Sequence, residues 1–378
     1  MPKIRVGMIR CDCHALYYAC IMAEHDPFVL RQPVPREQIL RTVHGWQRGG
    51  VFKYFYTLFG NPEKMTVDAV DGFEVVKLWD QNRTNAQMIQ RILLGRPTIC
   101  ETLDEVTDDV DLVFISDCNG DGSDHLELAR PGLLKGIATF ADKPFAFSSV
   151  DMLDMMRIAK EHDAPLMSLS ILRMLPAVNT FMQRRHELGD LQFATIQGGG
   201  DSMAGIVHTT ALAQNMFGPG VESVRCMGEG PPTSIRLHFA KGSGGPPWGV
   251  MINTDTGDTP NCALYASCYG TKGTIHSPPL DDWEFPHGSV EITRLVKQMV
   301  TEKKSPMPDE QMVEIIAAID AARRSLEQGG RLVSVLGTIR EAEAQLAARP
   351  RSQGVTLKPL LVPPGIERPD APVQFVPV

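Results

Sequence analysis

Across its first half the chain alternates short apolar runs with segments whose apolar residues recur at helical spacing, and this rhythm narrows the available folds more than any other feature. The spacing predicts strands at residues 3–9, 73–79, 96–100, 110–115, 137–140 and 165–169, and helices at 14–23, 84–94, 124–135 and 149–162. Such alternation implies an α/β fold with a doubly wound parallel sheet and right-handed crossovers. The run at 110–115 is apolar at most positions, as a strand buried on both faces requires.

The texture changes after Arg173. Strand-like pieces at 191–197, 221–227, 233–239, 248–253, 262–269 and 273–276 are separated by glycine and proline clusters, which predicts a C-terminal α+β domain with an open, mostly antiparallel sheet. A long amphipathic helix is expected from Asp309 to Gln328, ended by Gly329 and Gly330. The expected division is 1–148 for the first domain, with an insertion at 26–71, then 149–345, then a proline-rich arm at 346–378. A chain of 378 residues has room for two such cores.

Charge and cysteine usage exclude several function classes. A net charge of −8 disfavours a polyanion such as nucleic acid as partner. No apolar run approaches the ~20 residues that span a bilayer, and the N-terminus has no signal-type core, so a cytoplasmic protein without a membrane partner is expected. Eight cysteines lie scattered with no Cys-x-x-Cys pair, so reduced packing thiols are expected and no metal site. Cys11 and Cys13 flank a turn, but two more ligands at recognisable spacing are missing.

A dinucleotide-binding, Rossmann-type sheet of this sort carries Gly-x-Gly-x-x-Gly or Ala after its first strand, because the backbone there must turn tightly and approach a pyrophosphate at a helix N-terminus. Arg10 and Asp12 stand at the two glycine positions, and Ala15 fits the third. Two outcomes are open. Arg10 pairs with phosphate while Asp80, ending the second strand, accepts the ribose hydroxyls; or Arg10 pairs with Asp12 and closes the loop.

Several short segments resemble the Gfo/Idh/MocA family of oxidoreductases: the opening 3–9, Val113 to Ile115 followed by Asn119 and His125, Asp142-Lys143-Pro144, Gly270 to Thr274, and the helix end at 325–332. The resemblance implies NAD or NADP in the first domain and oxidation of a hydroxyl on a sugar, cyclitol or related polyol. It implies Lys143 as the acid or base nearest the reacting hydroxyl, with His208 as its partner. Asn119, His125, Asp142 and Pro144 would sit along the cofactor, and Arg173 and Asp201 with Lys143 and His208 along the substrate. The family's Asp-x-Gly-x-His is altered: Ala204 replaces the aspartate, and Asp201 is the nearby carboxylate that can take its place.

Two further segments bear on the site. Asp117, Asn119, Asp121 and Gly122 copy the opening of a calcium loop, but Leu128 stands where its glutamate belongs, so an EF-hand is not expected. The insertion brings His44, Trp46, Arg48, Lys53, Tyr54, Phe55 and Tyr56, suited equally to covering an anionic or sugar ligand and to a dimer contact. A homodimer or homotetramer is expected, since an open sheet face favours a partner. The alternatives to an NAD(P)-linked oxidoreductase are a non-redox binding or regulatory protein of the same fold and a metal-assisted lyase or isomerase using the acidic loop.

Overall fold

The computed structural model describes residues 2–32, 51–52, 56, 67–118, 120–199, 203–228, 233–254, 263–281 and 284–349. Most of the expected insertion, the arm beyond 349, Asn119 and Asp201 lie outside these residues.

The first half builds β1 (Ile4–Ile9), α1 (Cys13–Met22), α2 (Pro27–Arg31), β2 (Phe73–Trp79), α3 (Arg83–Ile92), β3 (Thr98–Ile99), α4 (Leu103–Val106), β4 (Leu112–Ile115), α5 (His125–Leu134), β5 (Ala138–Ala141), α6 (Ser149–Glu161) and β6 (Leu166–Met167). The six strands pair in parallel in the order β3-β2-β1-β4-β5-β6. Every residue of β4 and β5 is buried, because helices cover both faces. Since β6 belongs to this sheet, the first layer runs past residue 148. Gly7 lies inside β1, where a Cβ would stand 2.2 Å from the Val106 carbonyl oxygen; only glycine lets α4 pack this close.

The second half adds α7 (Pro176–Gln183), β7 (Leu191–Gln197), α8 (Met203–Phe217), β8 (Val221–Met227), β9 (Ser234–Phe239), β10 (Val250–Asn253), β11 (Tyr265–Gly270), β12 (Thr274–His276), α9 (Phe285–Glu302), α10 (Asp309–Glu327), β13 (Val333–Ser334) and α11 (Val335–Ala348). Its sheet runs β12-β11-β7-β10-β9-β8-β13, and only the β7–β10 pair is parallel. Period-two alternation buries Val224, Cys226, Ile235, Leu237, Val250 and Ile252 in a second core with Leu212, Ala213, Ala317 and Ala321 of α8 and α10. Four helices there, α7, α8, α9 and α11, go beyond the helix content that the strand pattern predicts. For α8 the reason is visible: Val207, Thr209, Thr210, Ala211, Leu212 and Ala213 are all buried, so no polar face marks its period.

Candidate active site

The sheet order sets the site. β1 and β4 are neighbours with helices leaving on opposite faces, so the loops after them open side by side at the switch point where α/β sheets hold ligands. The loop after β5, carrying Asp142 to Pro144, borders the second of them.

The loop after β1 keeps the backbone turn of a nucleotide-binding loop while replacing its glycine. Arg10 has φ +65°, the left-handed region that glycine favours. Its guanidinium pairs with Asp124, and not with Asp12, so the closed Arg10–Asp12 loop is not formed. Asp12 instead caps α1: one carboxylate oxygen accepts from the N–H groups of His14 (2.9 Å) and Ala15 (3.2 Å), the other from Cys118 N–H (2.5 Å). Asp12 therefore occupies the helix N-terminus that a pyrophosphate takes in such a fold. Burial pushes its carboxyl up to about 7, while the Cys118 N–H bond pulls the other way.

Asp80, at the end of β2, accepts from Cys11 N–H (2.7 Å), Asn82 N–H (2.6 Å) and the Asn85 amide (3.4 Å). It retains lone pairs for ribose hydroxyls. Arg10 Nε is buried without a hydrogen-bond partner, a donor left over in the same loop. The turn, the spare donor and Asp80 fit a dinucleotide, provided that the Asp12 carboxylate yields its place.

Lys143 and Pro144 are joined by a cis peptide bond, and Lys143 is 3 % exposed. Its ammonium donates to the Cys118 carbonyl (2.6 Å). The Asp142 carboxylate accepts from Lys143 N–H (2.8 Å) and Asp117 N–H (3.3 Å) and pairs with His14 Nδ1. Burial opposes charge on His14, but Cys118 and Asp142 together raise it well above the ordinary histidine range.

His208 of α8 meets Ser170 through Nδ1 (2.7 Å). Ser170, which the sequence did not single out, is thus the partner of His208 Nδ1 among the described residues; the expected partner, Asp201, lies outside them. Burial, then the charges of Lys143 and His14, push His208 well below its usual pKa, so it is neutral at physiological pH. Lys143, Ser168, Ser170 and Val207 line one small cavity, which joins the two halves of the site.

Three other predicted residues serve the frame. His125 is fully buried at the start of α5, between Asp117 (3.3 Å) and the Phe145 carbonyl (3.3 Å), and so fixes the loop that bears Lys143. Burial opposes its charge, but Asp117 raises its pKa overall. Arg173 turns to Gln214 (2.5 Å) and Gln311, tying its turn to α8 and α10. Ala15 is buried in α1, leaving only its N–H, taken by Asp12, in the loop.

Sequence reasoning also passed over Cys118 and the company of His14. The Cys118 thiol is held well below its usual range, first by a hydrogen bond with Cys13, with burial opposing and His14 and Lys143 assisting. Cys11 does not join Cys13: its thiol points to the Trp79 carbonyl (3.7 Å).

A model of an oxidoreductase family with an NAD-binding Rossmann fold matches residues 57–169, beginning beyond β1 and its altered loop. No curated protein sequence matches the chain. Among solved structures, a putative myo-inositol dehydrogenase from Sinorhizobium meliloti is similar at 16% identity and TM-score 0.60, over 88% of this chain and 99% of that one. A scyllo-inositol dehydrogenase from Lactobacillus casei, with bound NAD(H) and scyllo-inositol, is 10% identical at TM-score 0.61 over 88% and 99%. An oxidoreductase from Agrobacterium radiobacter, in complex with NAD+, L-tartaric acid and magnesium, is 14% identical at TM-score 0.61 over 89% and 99%. No helix among the described residues is long and apolar enough to cross a membrane. Residues 57–169 thus match the Gfo/Idh/MocA oxidoreductase family, and the six-stranded parallel sheet built around them is that of an NAD-binding Rossmann fold.

Proposed function

We propose that the protein is an NAD(P)-linked oxidoreductase acting on a hydroxyl-bearing carbon of a sugar, cyclitol or related polyol. The observation that carries this reading is the buried Lys143 ammonium at the end of β5, sharing a cavity wall with Ser170, the partner of His208. The inositol dehydrogenases among its structural neighbours support the substrate class.

When bound, the nicotinamide supplies the hydride acceptor. Arg10 Nε and the first N–H groups of α1 would hold the phosphates, and Asp80 the ribose. Lys143 would leave the Cys118 carbonyl and donate to the reacting hydroxyl oxygen. His208, kept neutral by burial, is ready to take the hydroxyl proton at Nε2 when its Nδ1–H donates to Ser170. Ser170 sets the tautomer in that arrangement, which is the part a carboxylate plays in acid–base relays. The exposed Tyr265 and Trp248 on the second sheet and its preceding loop support a homodimer or homotetramer.

The test is reduced-nucleotide formation with a panel of cyclitols, aldoses and sugar acids. Turnover in the wild type, abolished in Lys143→Met with nucleotide binding retained, is the expected result. Turnover unchanged in Lys143→Met would overturn the reading. The seat of Asp12 on α1 favours a second reading, a non-redox binding protein of the same fold; it predicts ligand binding with no turnover for any nucleotide.

A further inference from the structure

The Cys13 thiol, the His14 ring and the Cys118 thiol each offer one ligand atom, and these atoms lie within 4.8 Å of one another. A tetrahedral zinc ion with bonds of about 2.3 Å to sulfur and 2.0–2.1 Å to nitrogen holds its ligand atoms roughly 3.5–3.8 Å apart. The cluster is therefore within about 1 Å of closing on such an ion. Two thiolates and an imidazole select a soft or borderline cation over magnesium or calcium. They are also a donor set of catalytic zinc, whose fourth position is left to water or substrate.

The surroundings match. His14 Nδ1 is engaged by Asp142, leaving Nε2 as the ligand nitrogen; a carboxylate on the far nitrogen is the usual outer partner of a metal-bound histidine. Cys13 sits fully buried in the first turn of α1, whereas the His14 side chain is 23% exposed and Cys118 half-buried, so an ion has an entry path. With both thiols ionised, the charges of zinc and Lys143 balance those of Cys13, Cys118 and Asp142. The neighbouring Asp117, Asp124 and His125 group lacks these qualities: Arg10 already neutralises Asp124, and Gly120 N–H and the Phe145 carbonyl engage Asp117 and His125.

We infer that Cys13, His14 and Cys118 form a Cys2His site for a divalent ion of the zinc class, oriented by Asp142 and open at its fourth position to the substrate hydroxyl oxygen beside Lys143. The role toward substrate rests on the proposed function; the metal site itself does not. Binding displaces protons from the ligands, since thiolate and neutral imidazole are the ligating forms.

The experiment takes the full chain, reduced and stripped by a chelator, and titrates it with Co2+ and then Zn2+ in the absence of nucleotide. The expected result is one equivalent of Co2+ with a thiolate-to-cobalt charge-transfer band and tetrahedral visible absorption, both lost on adding Zn2+. Cys13→Ser and Cys118→Ser abolish the band, Asp142→Asn weakens binding about 10- to 100-fold, and Cys11→Ser leaves it unchanged. In the wild type, alkylation mapped by mass spectrometry finds Cys13 and Cys118 protected by Zn2+, so the proposal does not depend on the variants folding. A missing thiolate band at stoichiometric Co2+, or alkylation of Cys118 indifferent to Zn2+, overturns it. Failure of polyol turnover alongside an intact band would fault the proposed reaction and leave the metal site standing.

Discussion

Replacing Asp12 by glycine should weaken the fold and strengthen nucleotide binding in the same variant. Asp12 accepts two N–H groups at the start of α1 and a third from Cys118. Glycine is itself a tolerated N-cap, so losing the cap costs only a few tenths of a kcal/mol. The Cys118 N–H, left without its partner, costs a further ~1–3 kcal/mol. Against this, a carboxylate about 4 Å from a phosphate charge repels it by about 4 kcal/mol at an effective dielectric of 20. Because burial holds the Asp12 carboxyl at about 7, at pH 8 it escapes this repulsion by taking up a proton at a cost of about 1.4 kcal/mol, or about tenfold in Kd. Urea unfolding followed by circular dichroism reads the first effect, and calorimetric titration of NADH the second. A folded Asp12→Gly protein that binds NADH no more tightly than the wild type would refute the claim that Asp12 occupies the pyrophosphate position.

Other consequences follow from the same contacts. His208 is neutral in the folded protein, and an unfolded histidine takes up a proton below about pH 6.5; its contribution to stability is present above that pH and lost as pH falls, at about 1.4 kcal/mol per unit. Urea midpoints at pH 7, 6 and 5 should therefore drop more steeply for wild type than for His208→Asn, and equal slopes would contradict the assignment. Arg173→Met should cost ~1–3 kcal/mol by removing the donor to the amide oxygens of Gln214 and Gln311 while leaving the substrate KM unchanged, since its guanidinium faces α8 and α10; a raised KM at constant stability would return it to the cleft. Gly7→Ala should destabilise by at least ~1–3 kcal/mol, because its Cβ meets the Val106 carbonyl at 2.2 Å; an unchanged urea midpoint would refute the close approach.

The first sheet was legible because its strands are apolar runs set between helical periods; Phe73–Trp79 in it, and Leu191–Gln197 in the second sheet, lie where the pattern puts them. Helices α8 and α9 were not, since α8 is apolar around most of its circumference and α9 opens on Phe285-Pro286 with a glycine in its first turn. In the site, Lys143 announced itself through its flanking residues, whereas Cys118 meets Asp12 and His14 only because β1 and β4 are sheet neighbours. Asp12 and Cys118 stand 106 positions apart in the chain, a separation that no local spacing rule spans. In sequence Arg10 stands where the turn calls for glycine; the turn is kept, with φ +65° carried by arginine and the guanidinium anchored on Asp124.

The central claim is that this altered loop still serves a dinucleotide beside Lys143, and titration of the wild-type chain with NAD+, NADH, NADP+ and NADPH by calorimetry tests it most directly. Saturable binding of at least one nucleotide is expected, with one site per chain and tighter binding in Asp12→Gly. Failure of all four to bind at millimolar concentration, to a chain that circular dichroism shows folded, would contradict it.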